Sequence, residues 1–437
     1  MLEEDKIKKQ IFKMIEKFYK IKHKKQKFIP EKTKVCYGGR VFDHNELIAL
    51  TDAILESWFT LGKYGKQFEQ TFSNYLKVKH TILTNSGSSA NLLAVSSLTS
   101  PQLKNRLHKD DEVITTAVTF PTTFNPIIQN NLIPVILDVD LGTYNIQVEN
   151  LDKALSEKTK LIVIPHTLGN PCEMDTIMDF AETHNLYVIE DSCDALGSKY
   201  NGEFVGSIGN LGTFSFYPAH HMTMGEGGAV VTNDDILSPI VRSLRDWGRA
   251  CVCPTCSDRY DKCPLKFVDR GELPADYDTR YLYTNIGFNL KPTDFQAALG
   301  VEQLKKLPIF IEERRKNFKI LYQEFLKYEK YFVLPKSLPK SDPSWFALPL
   351  TVKKNQKFSR KDIVRWYEKN KIETRLLFAG NILKQPAYKE VKFRLVDDLK
   401  NTDDVMKNTF FIGVYPGLDE EKITYILDKT REFMRRI

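Results

Sequence analysis

Short apolar runs alternate with segments of helical periodicity between residues 80 and 233. The runs are rich in Val, Ile, Thr and Phe and end in polar or glycine-containing turns, which is typical of buried strands. The segments between several of them, such as "SSANLLAVSSL" and "MDTIMDFAETHN", repeat apolar residues three or four positions apart. This alternation predicts an α/β fold with a mostly parallel sheet covered by helices on both faces. The predicted strands are "HTILTN", "DEVITTAVTF", "LIPVILDVD", "KLIVIPHTLG", "LYVIEDSCDALG", "GTFSFY" and "GAVVTN".

The pattern changes toward the C-terminus, where "KPTDFQAALGVEQLKKLPIFIEERRKNFKILYQEFLKY" predicts one long helix. The stretches "SWFALPLTV", "RKDIVRWYEKN" and "DEEKITYILDKTREFMRRI" then predict a strand and two more helices. We therefore expect a large domain over residues 31–306 and a smaller α/β domain over residues 307–437. Within the large domain, residues 246–278 hold three prolines and four cysteines and predict one long irregular insertion. Such insertions usually serve a function.

Residues 1–30 predict a basic amphipathic helix. Ile7, Ile11, Ile15 and Phe18 recur at helical spacing, and lysines fill the remaining face. The first 28 residues contain ten lysines and four acidic residues, so they carry most of the formal net charge of +7. The rest of the chain is nearly neutral, which argues against nucleic-acid binding.

Length and composition exclude several classes of protein. With 437 residues, of which 42% are hydrophobic, the chain can bury a large core. Its apolar runs are too short to span a bilayer, and its N-terminus lacks the apolar segment of a signal peptide. We expect a soluble, cytoplasmic protein.

Three short stretches contain candidate chemistry. In "TNSGSSANL" a strand ends in a Gly/Ser turn that opens a helix, which suits a phosphate but also describes an ordinary helix cap. In "VIEDSCDALG" an apolar strand ends in carboxylates, which can hold a pyridinium nitrogen or cap a helix. In "SFYPAHHMTMGEGG" a loop with the chain's only His-His pair leaves the end of a strand. That edge of a parallel sheet is the usual place for a binding site.

Together, in this order and spacing, these stretches resemble the sugar aminotransferase family known as the DegT/DnrJ/EryC1/StrS group, from about Gly38 to the C-terminus. The resemblance implies an aspartate-aminotransferase-like large domain, which is the fold type I of pyridoxal phosphate enzymes. In that family a lysine in Ser-Phe-x-x-x-Lys binds the cofactor covalently. His220 stands at this position, and an imidazole cannot form that bond. The resemblance therefore implies a non-covalently held cofactor, pyridoxamine 5′-phosphate (PMP), with His220 as general base.

Other positions of the family pattern carry over to this sequence one at a time. The resemblance implies a phosphate site, an aromatic stacked on the cofactor ring and a carboxylate on the ring nitrogen. It also implies that an asparagine reaches the phosphate from a neighbouring subunit, and hence a homodimer. These positions are Ser88, Ser89 and Ser215 for the phosphate, Phe120 for the ring, Asp191 for the nitrogen, Asp194 facing the ring hydroxyl, and Asn289 from the neighbour.

Four cysteines within thirteen residues, "CVCPTCSDRYDKC", predict a metal site. The spacing alone leaves zinc and an iron–sulfur cluster open. The cysteine-rich stretch, taken with four others, resembles the lysine-less 3-dehydrases of the family that carry a 2Fe–2S cluster. The four other stretches are "RDWGR", "HTLGN", "DPSWF" and "TRLLFAGN". That resemblance implies four cluster ligands, which are Cys193, Cys251, Cys253 and Cys263. In an alternative set, Cys256 replaces Cys193.

The function implied by the resemblance is removal of the C3 hydroxyl from a nucleotide-linked 4-keto-6-deoxy sugar. An NADH-dependent flavin/iron–sulfur reductase would supply electrons. Two alternatives stay open: a cluster-free dehydratase of the GDP-linked branch that uses glutamate, and a non-catalytic, zinc-stabilised relative.

Overall fold

The computed structural model describes residues 3–24, 27–251, 272–274 and 277–437. Cys253, Cys256 and Cys263 lie outside the described residues, together with most of the predicted insertion. The strands in chain order are β1 (His80–Thr84), β2 (Glu112–Thr116), β3 (Ile133–Leu137), β4 (Thr159–Pro165), β5 (Tyr187–Asp191), β6 (Lys199–Tyr200), β7 (Glu203–Phe204), β8 (Leu211–Ser215), β9 (Gly228–Thr232), β10 (Phe332–Val333), β11 (Ser341–Asp342), β12 (Ala347–Val352), β13 (Thr374–Arg375), β14 (Arg394–Leu395) and β15 (Thr409–Gly413).

Several helices begin at side chains that satisfy their free N–H groups. Asp43 and Glu46 form a capping box at α2, and Thr293 and Gln296 form one at α9. The helices in chain order are α1 (Glu3–Lys22), α2 (His44–Leu55), α3 (Lys63–Leu76), α4 (Gly87–Ser97), α5 (Pro121–Gln129), α6 (Leu151–Ala154), α7 (Met174–Thr183), α8 (Leu237–Arg245), α9 (Asp294–Leu326), α10 (Arg360–Lys369), α11 (Lys400–Asn408) and α12 (Glu420–Arg435).

An eight-stranded sheet forms the centre of the protein, in the order β1-β9-β8-β5-β4-β2-β3-β14. Its pairs are parallel except those of β9, which runs antiparallel to both β1 and β8. Val163 and Ile189 face one apolar cluster of the sheet, while Ile164 and Val188 face another. The predicted α/β class with a mostly parallel sheet is confirmed. Because every strand of this sheet except β9 runs in the same direction, their carboxyl ends meet at one edge.

The C-terminal residues build a second, four-stranded sheet in the order β10-β12-β15-β13. The predicted long helix is present as α9, and it continues without a break through Leu307, where we placed the start of the smaller domain. Residues beyond that point also return to the large domain. Strand β14 pairs with β3 at the edge of the central sheet, and β11 pairs with β6.

Helix α1 covers Glu3–Lys22 of the segment predicted as a basic amphipathic helix. Lys8 reaches across to Glu56 at the end of α2, at 3.2 Å, and none of the side chains of α1 is fully buried. Among the described residues, no helix combines the length and the apolarity needed to cross a membrane.

Candidate active site

A cavity of about 790 Å³ lies at the carboxyl ends of β1, β2, β4, β5 and β8. These ends meet there because the five strands run in the same direction. The C-terminal residues close the other side of the cavity with Arg375, Phe378 and Tyr388. The sequence-predicted residues that line this cavity are Ser88, Phe120, Asp191, Cys193, Asp194, Ser215 and His220.

One end of the cavity is a cradle of backbone N–H groups and hydroxyls at the start of α4. Ser86 caps this helix by accepting a hydrogen bond from the N–H of Ser89 at 3.1 Å. Gly87 is needed because a Cβ there would lie 2.5 Å from the Cβ of Ser215. Gly228 is needed for the same reason, since its Cβ would lie 2.3 Å from the carbonyl oxygen of Ser86. The free helix N-terminus, together with Ser88 and Ser215, therefore suits an anion such as a phosphate.

Two of the predicted phosphate-binding residues do not line the cavity. The hydroxyl of Ser89 donates to Oδ1 of Asn85 at 2.6 Å and is used within the helix cap. Asn289 is exposed and forms an isolated β-bridge with Asp246. A contact from Asn289 to a phosphate held in another copy of the chain stays a prediction.

The carboxylate of Asp191 is held at the end of β5 by neutral donors. Its Oδ2 accepts hydrogen bonds from Nδ2 of Asn91 at 2.8 Å and from the hydroxyl of Thr123 at 2.6 Å. Its Oδ1 accepts the backbone N–H of Cys193 at 3.1 Å. Asp191 is only 6% exposed, and the side it presents to the cavity can accept a further N–H, such as that of a pyridinium ring.

An aromatic side chain stands over the mouth of the cavity near this carboxylate. Phe120 precedes α5, lines the cavity and is 54% exposed. Its ring packs edge-to-face against Phe378 with a centroid separation of 6.5 Å. Phe378 itself has a left-handed backbone conformation, with φ of 47°. The exposed ring face is suited to stacking on a planar ligand.

His220 lies inside the cavity between a carboxylate and a ring. Its Nδ1 is 3.2 Å from Oδ1 of Asp194, and its ring centroid is 5.5 Å from that of Phe346. The distance is within range of an ion pair, but Nδ1 makes no well-aligned hydrogen bond. Nε2 makes no hydrogen bond within the described part of the chain, and a neutral imidazole with such a nitrogen can accept a proton.

His221, the second histidine of the pair, does not line the cavity. Its Nε2 contacts the carbonyl oxygen of Ser344 at 2.8 Å, and the residue is 2% exposed. Burial, followed by the positive charge of Arg314, lowers the pKa of His221 well below its ordinary value. The ring is therefore neutral and remains attached to the segment before β12.

Two of the five candidate cluster cysteines are described. Cys193 lines the cavity, and desolvation followed by the charge of Asp191 raises the pKa of its thiol well above the ordinary value. Cys251 is half-buried and lies within the insertion, as the last described residue before residue 272. Within the described ranges, no group of three or more His, Cys, Asp or Glu side chains is close enough to hold a metal. The described residues alone therefore do not assemble a cluster site.

Several residues that shape this cavity were not predicted from the sequence. Asn91 and Thr123 hold Asp191 in place, and Phe346 packs against His220. For Asn91 and Thr123, the only indication in the sequence was that each is a polar residue in a segment that follows a predicted strand. Taken together, an anion cradle, an aromatic face and a buried carboxylate suit a phosphorylated pyridine cofactor.

The sequence profile of the DegT/DnrJ/EryC1/StrS aminotransferase family matches residues 42–431. The chain is 47% identical to the lipopolysaccharide biosynthesis protein RfbH of Salmonella typhimurium, over 93% of each chain. It is 45% identical to the dTDP-4-dehydro-2,6-dideoxy-D-glucose 3-dehydratase of Saccharopolyspora spinosa, over 94% of this chain and 88% of the relative.

Among solved structures, the chain is similar to the Escherichia coli GDP-4-keto-6-deoxy-D-mannose-3-dehydratase with bound hydrated PLP. The TM-score is 0.81 and the identity 30%, over 90% of this chain and 98% of that one. The expected fold type I of pyridoxal phosphate enzymes is confirmed. The chain belongs to the DegT/DnrJ/EryC1/StrS aminotransferase family.

Proposed function

We propose that this chain is a PMP-dependent 3-dehydrase that removes the C3 oxygen from a nucleotide-linked 4-keto-6-deoxyhexose. On the sequence resemblance, we further propose that it is a CDP-6-deoxy-L-threo-D-glycero-4-hexulose-3-dehydrase of 3,6-dideoxyhexose biosynthesis, the source of sugars for the lipopolysaccharide O-antigen. The observation that carries the proposal is His220, which stands in the cavity where the family has its cofactor-binding lysine. The imidazole lies 3.2 Å from Asp194 and can accept a proton, but it cannot form the lysine's covalent bond.

The cavity offers a place for each part of PMP. The start of α4 with Ser88 and Ser215 would hold the phosphate, Phe120 would cover one face of the ring, and Asp191 would accept the ring N–H. When bound, PMP supplies an amino group that can condense with the C4 ketone of the sugar and a ring that can take up electrons. Asp191 would favour that uptake because its negative charge stabilises the protonated ring nitrogen.

His220 would move the proton that starts the elimination. Its Nε2 would take a proton from the C4′ carbon of the cofactor while Asp194 holds the opposite side of the imidazole. Without a lysine, the cavity has no amine at this position to deliver that proton to the sugar and release an amino sugar. The C3 hydroxyl leaves as water instead.

The net change consumes two electrons and two protons and releases one molecule of water. The C3 carbon is reduced from CHOH to CH₂, so an external reductant is required. We propose an NADH-dependent flavin/iron–sulfur reductase as the partner. We also propose a homodimer in which the exposed Asn289 of each chain reaches the phosphate site of the other.

A 2Fe–2S cluster is the second cofactor of the proposal, and it rests on the sequence. Its proposed ligands are Cys193, Cys251, Cys253 and Cys263, with Cys256 as the alternative to Cys193. In support, Cys193 lies on the wall of the cofactor cavity, two residues after Asp191. In the alternative, all four ligands would come from the cysteine-rich insertion, with Cys256 in place of Cys193.

A second candidate function is a cluster-free dehydratase acting on a GDP-linked sugar. It is favoured by the similarity to the GDP-4-keto-6-deoxy-D-mannose-3-dehydratase structure. It would need no cysteine-rich insertion, and glutamate would form PMP from PLP. The non-catalytic zinc-stabilised alternative is disfavoured by the intact phosphate cradle, where both Gly87 and Gly228 are sterically required.

One experiment separates these functions. Protein purified without air is examined by visible and electron paramagnetic resonance spectroscopy. It is then given PMP, a flavin/iron–sulfur reductase with NADH, and the 4-keto-6-deoxy sugar linked to CDP, dTDP or GDP. We expect an iron–sulfur spectrum and a product lighter by one oxygen atom with the CDP sugar. Turnover of the GDP sugar with glutamate and without iron would establish the second candidate. A zinc content without either turnover would establish the third.

A further inference from the structure

Arg314 is an arginine buried in the centre of the protein on α9. Its side chain is among the largest that are fully enclosed, and the residue is 1% exposed. Nη1 donates to the carbonyl oxygen of Phe346 at 3.0 Å, and Nη2 donates to that of His220 at 3.0 Å. A longer contact of 3.5 Å joins Nη2 to the carbonyl oxygen of Ala219. All the hydrogen bonds that the structure gives this guanidinium go to the backbone.

Such a group is costly to bury. Burial lowers the pKa of Arg314 to about 10, and the negative charge of Asp194 opposes that shift. The side chain is therefore still charged at neutral pH, although its Nε has no hydrogen-bond partner. A buried charge is tolerated only where good hydrogen bonds offset the loss of water. We therefore expect the positions of the two carbonyl groups that Arg314 binds, those of Phe346 and His220, to be important for the function of the protein.

Those carbonyls belong to the two segments that meet at the catalytic imidazole. One segment leaves β8 and contains His220 and His221, and the other leads into β12 and contains Ser344 and Phe346. A second link joins them, because His221 contacts the carbonyl oxygen of Ser344 at 2.8 Å. The ring of Phe346 in turn packs on the ring of His220 at 5.5 Å.

We propose that Arg314 is a positioning residue for His220. It does not line the cavity, and it acts by fixing the backbone of His220 and the segment of Phe346 at one distance from each other. The imidazole is thereby held beside Asp194. Lysine could not replace this function fully, because an ammonium group lacks the rigid fork that reaches two carbonyls at once. The inference rests on the proposed role of His220 as the proton acceptor.

The first test needs no cofactor. Hydrogen–deuterium exchange is measured by mass spectrometry on the cofactor-free full chain and on its Arg314→Met, Arg314→Lys and Arg315→Met variants. Arg315 is the matched control, since it is the next residue of α9 and also binds the segment before β12, through Asp342 at 2.8 Å and the carbonyl oxygen of Pro343 at 3.2 Å. Within the described part of the chain, Arg315 makes no hydrogen bond to the carbonyl oxygen of His220. We expect faster deuterium uptake over residues 216–224 in Arg314→Met, a smaller increase in Arg314→Lys, and none in Arg315→Met. Uptake over β1 should stay unchanged. Unchanged uptake over residues 216–224 in both Arg314 variants would overturn the inference.

The second test asks whether Arg314 acts through His220. The rate of proton exchange at C4′ of bound PMP is measured in a double-mutant cycle of Arg314→Met with His220→Asn. In the chain that retains His220, we expect Arg314→Met to lose about 10–100-fold at unchanged PMP affinity, as for a base moved by a fraction of an ångström. In the His220→Asn background, the Arg314 change should cause no further loss. If Arg314→Met does not fold, the same cycle is run with Arg314→Lys.

The two ways in which this cycle can fail are distinguishable. Equal losses in both backgrounds would show that Arg314 supports the whole cavity, and this would overturn the inference. A His220→Asn variant with an unchanged exchange rate would instead remove the proposed role of His220, while the deuterium uptake would still report how Arg314 holds the loop.

Discussion

Nδ1 of His220 and Oδ1 of Asp194 face each other across 3.2 Å inside the cofactor cavity. A carboxylate that accepts a hydrogen bond from one ring nitrogen of a histidine fixes the ring and leaves the other nitrogen free to accept a proton. We propose that Asp194 does this after a small turn of the imidazole, since the two atoms are close but not aligned. The sequence places these two residues 26 positions apart, on loops that follow different strands of the central sheet.

Replacing Asp194 by asparagine should affect the orientation of the His220 imidazole more than the binding of PMP. We expect Asp194→Asn to retain PMP, because the asparagine amide can still hydrogen-bond to the ring hydroxyl of the cofactor. The rate of C4′ proton exchange should fall about 10²-fold, because the imidazole loses its charged partner. Nuclear magnetic resonance of PMP in deuterated water measures that rate. Asp235→Asn is the control, since this exposed carboxylate pairs with Lys79 at 2.7 Å. A rate equal to that of the wild type would show that Asp194 does not orient the base.

Changing His220 should change how the cofactor is attached. We expect His220→Lys to bind pyridoxal phosphate covalently, with a new visible absorption band that borohydride removes, and to lose dehydration. His220→Asn should bind PMP and lose about 10²–10⁴-fold in exchange rate. The exposed His108 provides a control substitution, His108→Asn, that should alter neither property. A borohydride-sensitive lysine bond in the wild-type protein would contradict the mechanism.

A single methyl group at Gly87 should disrupt the phosphate cradle. The added Cβ would lie 2.5 Å from that of Ser215, so one of the two segments has to move. We expect Gly87→Ala to weaken PMP binding about tenfold or more, as measured by equilibrium dialysis. Gly39→Ala is the matched control, since its Cβ would make an ordinary contact of 3.5 Å with Tyr415. Equal affinities in the two variants would place the phosphate elsewhere.

Removing a cysteine of the insertion should stop the reduction of the sugar without stopping proton removal from C4′ of the cofactor. We expect Cys251→Ala and Cys253→Ala to lose the bound iron and net deoxygenation, while C4′ exchange continues because His220 is unchanged. Iron analysis and product mass spectrometry measure the two effects. Cys36→Ala removes a thiol outside the proposed ligand set and should retain both. Joint loss of exchange and deoxygenation would indicate that the insertion is structural, as a zinc site would be.

The stability of the protein should depend on pH through His221. Its pKa in the folded state lies well below the ordinary value, because burial and then Arg314 disfavour the charged form. The unfolded chain therefore binds more protons below pH ~6.5, and stability falls there by up to about 1.4 kcal/mol per pH unit. We expect the drop in Tm from about pH 7.5 to about pH 5.5 to be smaller in His221→Gln than in the wild type.

The control for this experiment is again a histidine on the surface. His108→Gln should keep the full drop in Tm, since His108 is exposed. Identical drops in the wild type and in His221→Gln would show that His221 is not held in its neutral form.

Seven of the eight strands of the central sheet were predictable, because each is a short apolar run with a polar turn after it. The stretches that contain Asp191 and His220 were noticeable for the same reason, but the roles assigned to these two residues came from the resemblance to the family. Strands β11 and β14 were not, because two residues are too few to show any periodicity. Contacts between distant parts of the chain could not be predicted from the sequence either. Asn91 is 100 positions from its partner Asp191, and no local pattern joins them.

Strand β14 has a consequence for synthesis of the chain. It pairs with Val135 and Ile136 at the middle of the edge of β3, yet it lies more than 250 residues further along the sequence. An uncovered edge strand is a template for pairing with other chains. A ribosome-bound chain therefore keeps that edge open until nearly all of the protein has been made, and it is exposed to aggregation during that time. Cutting the gene after the codon for residue 306 would make that temporary exposure permanent.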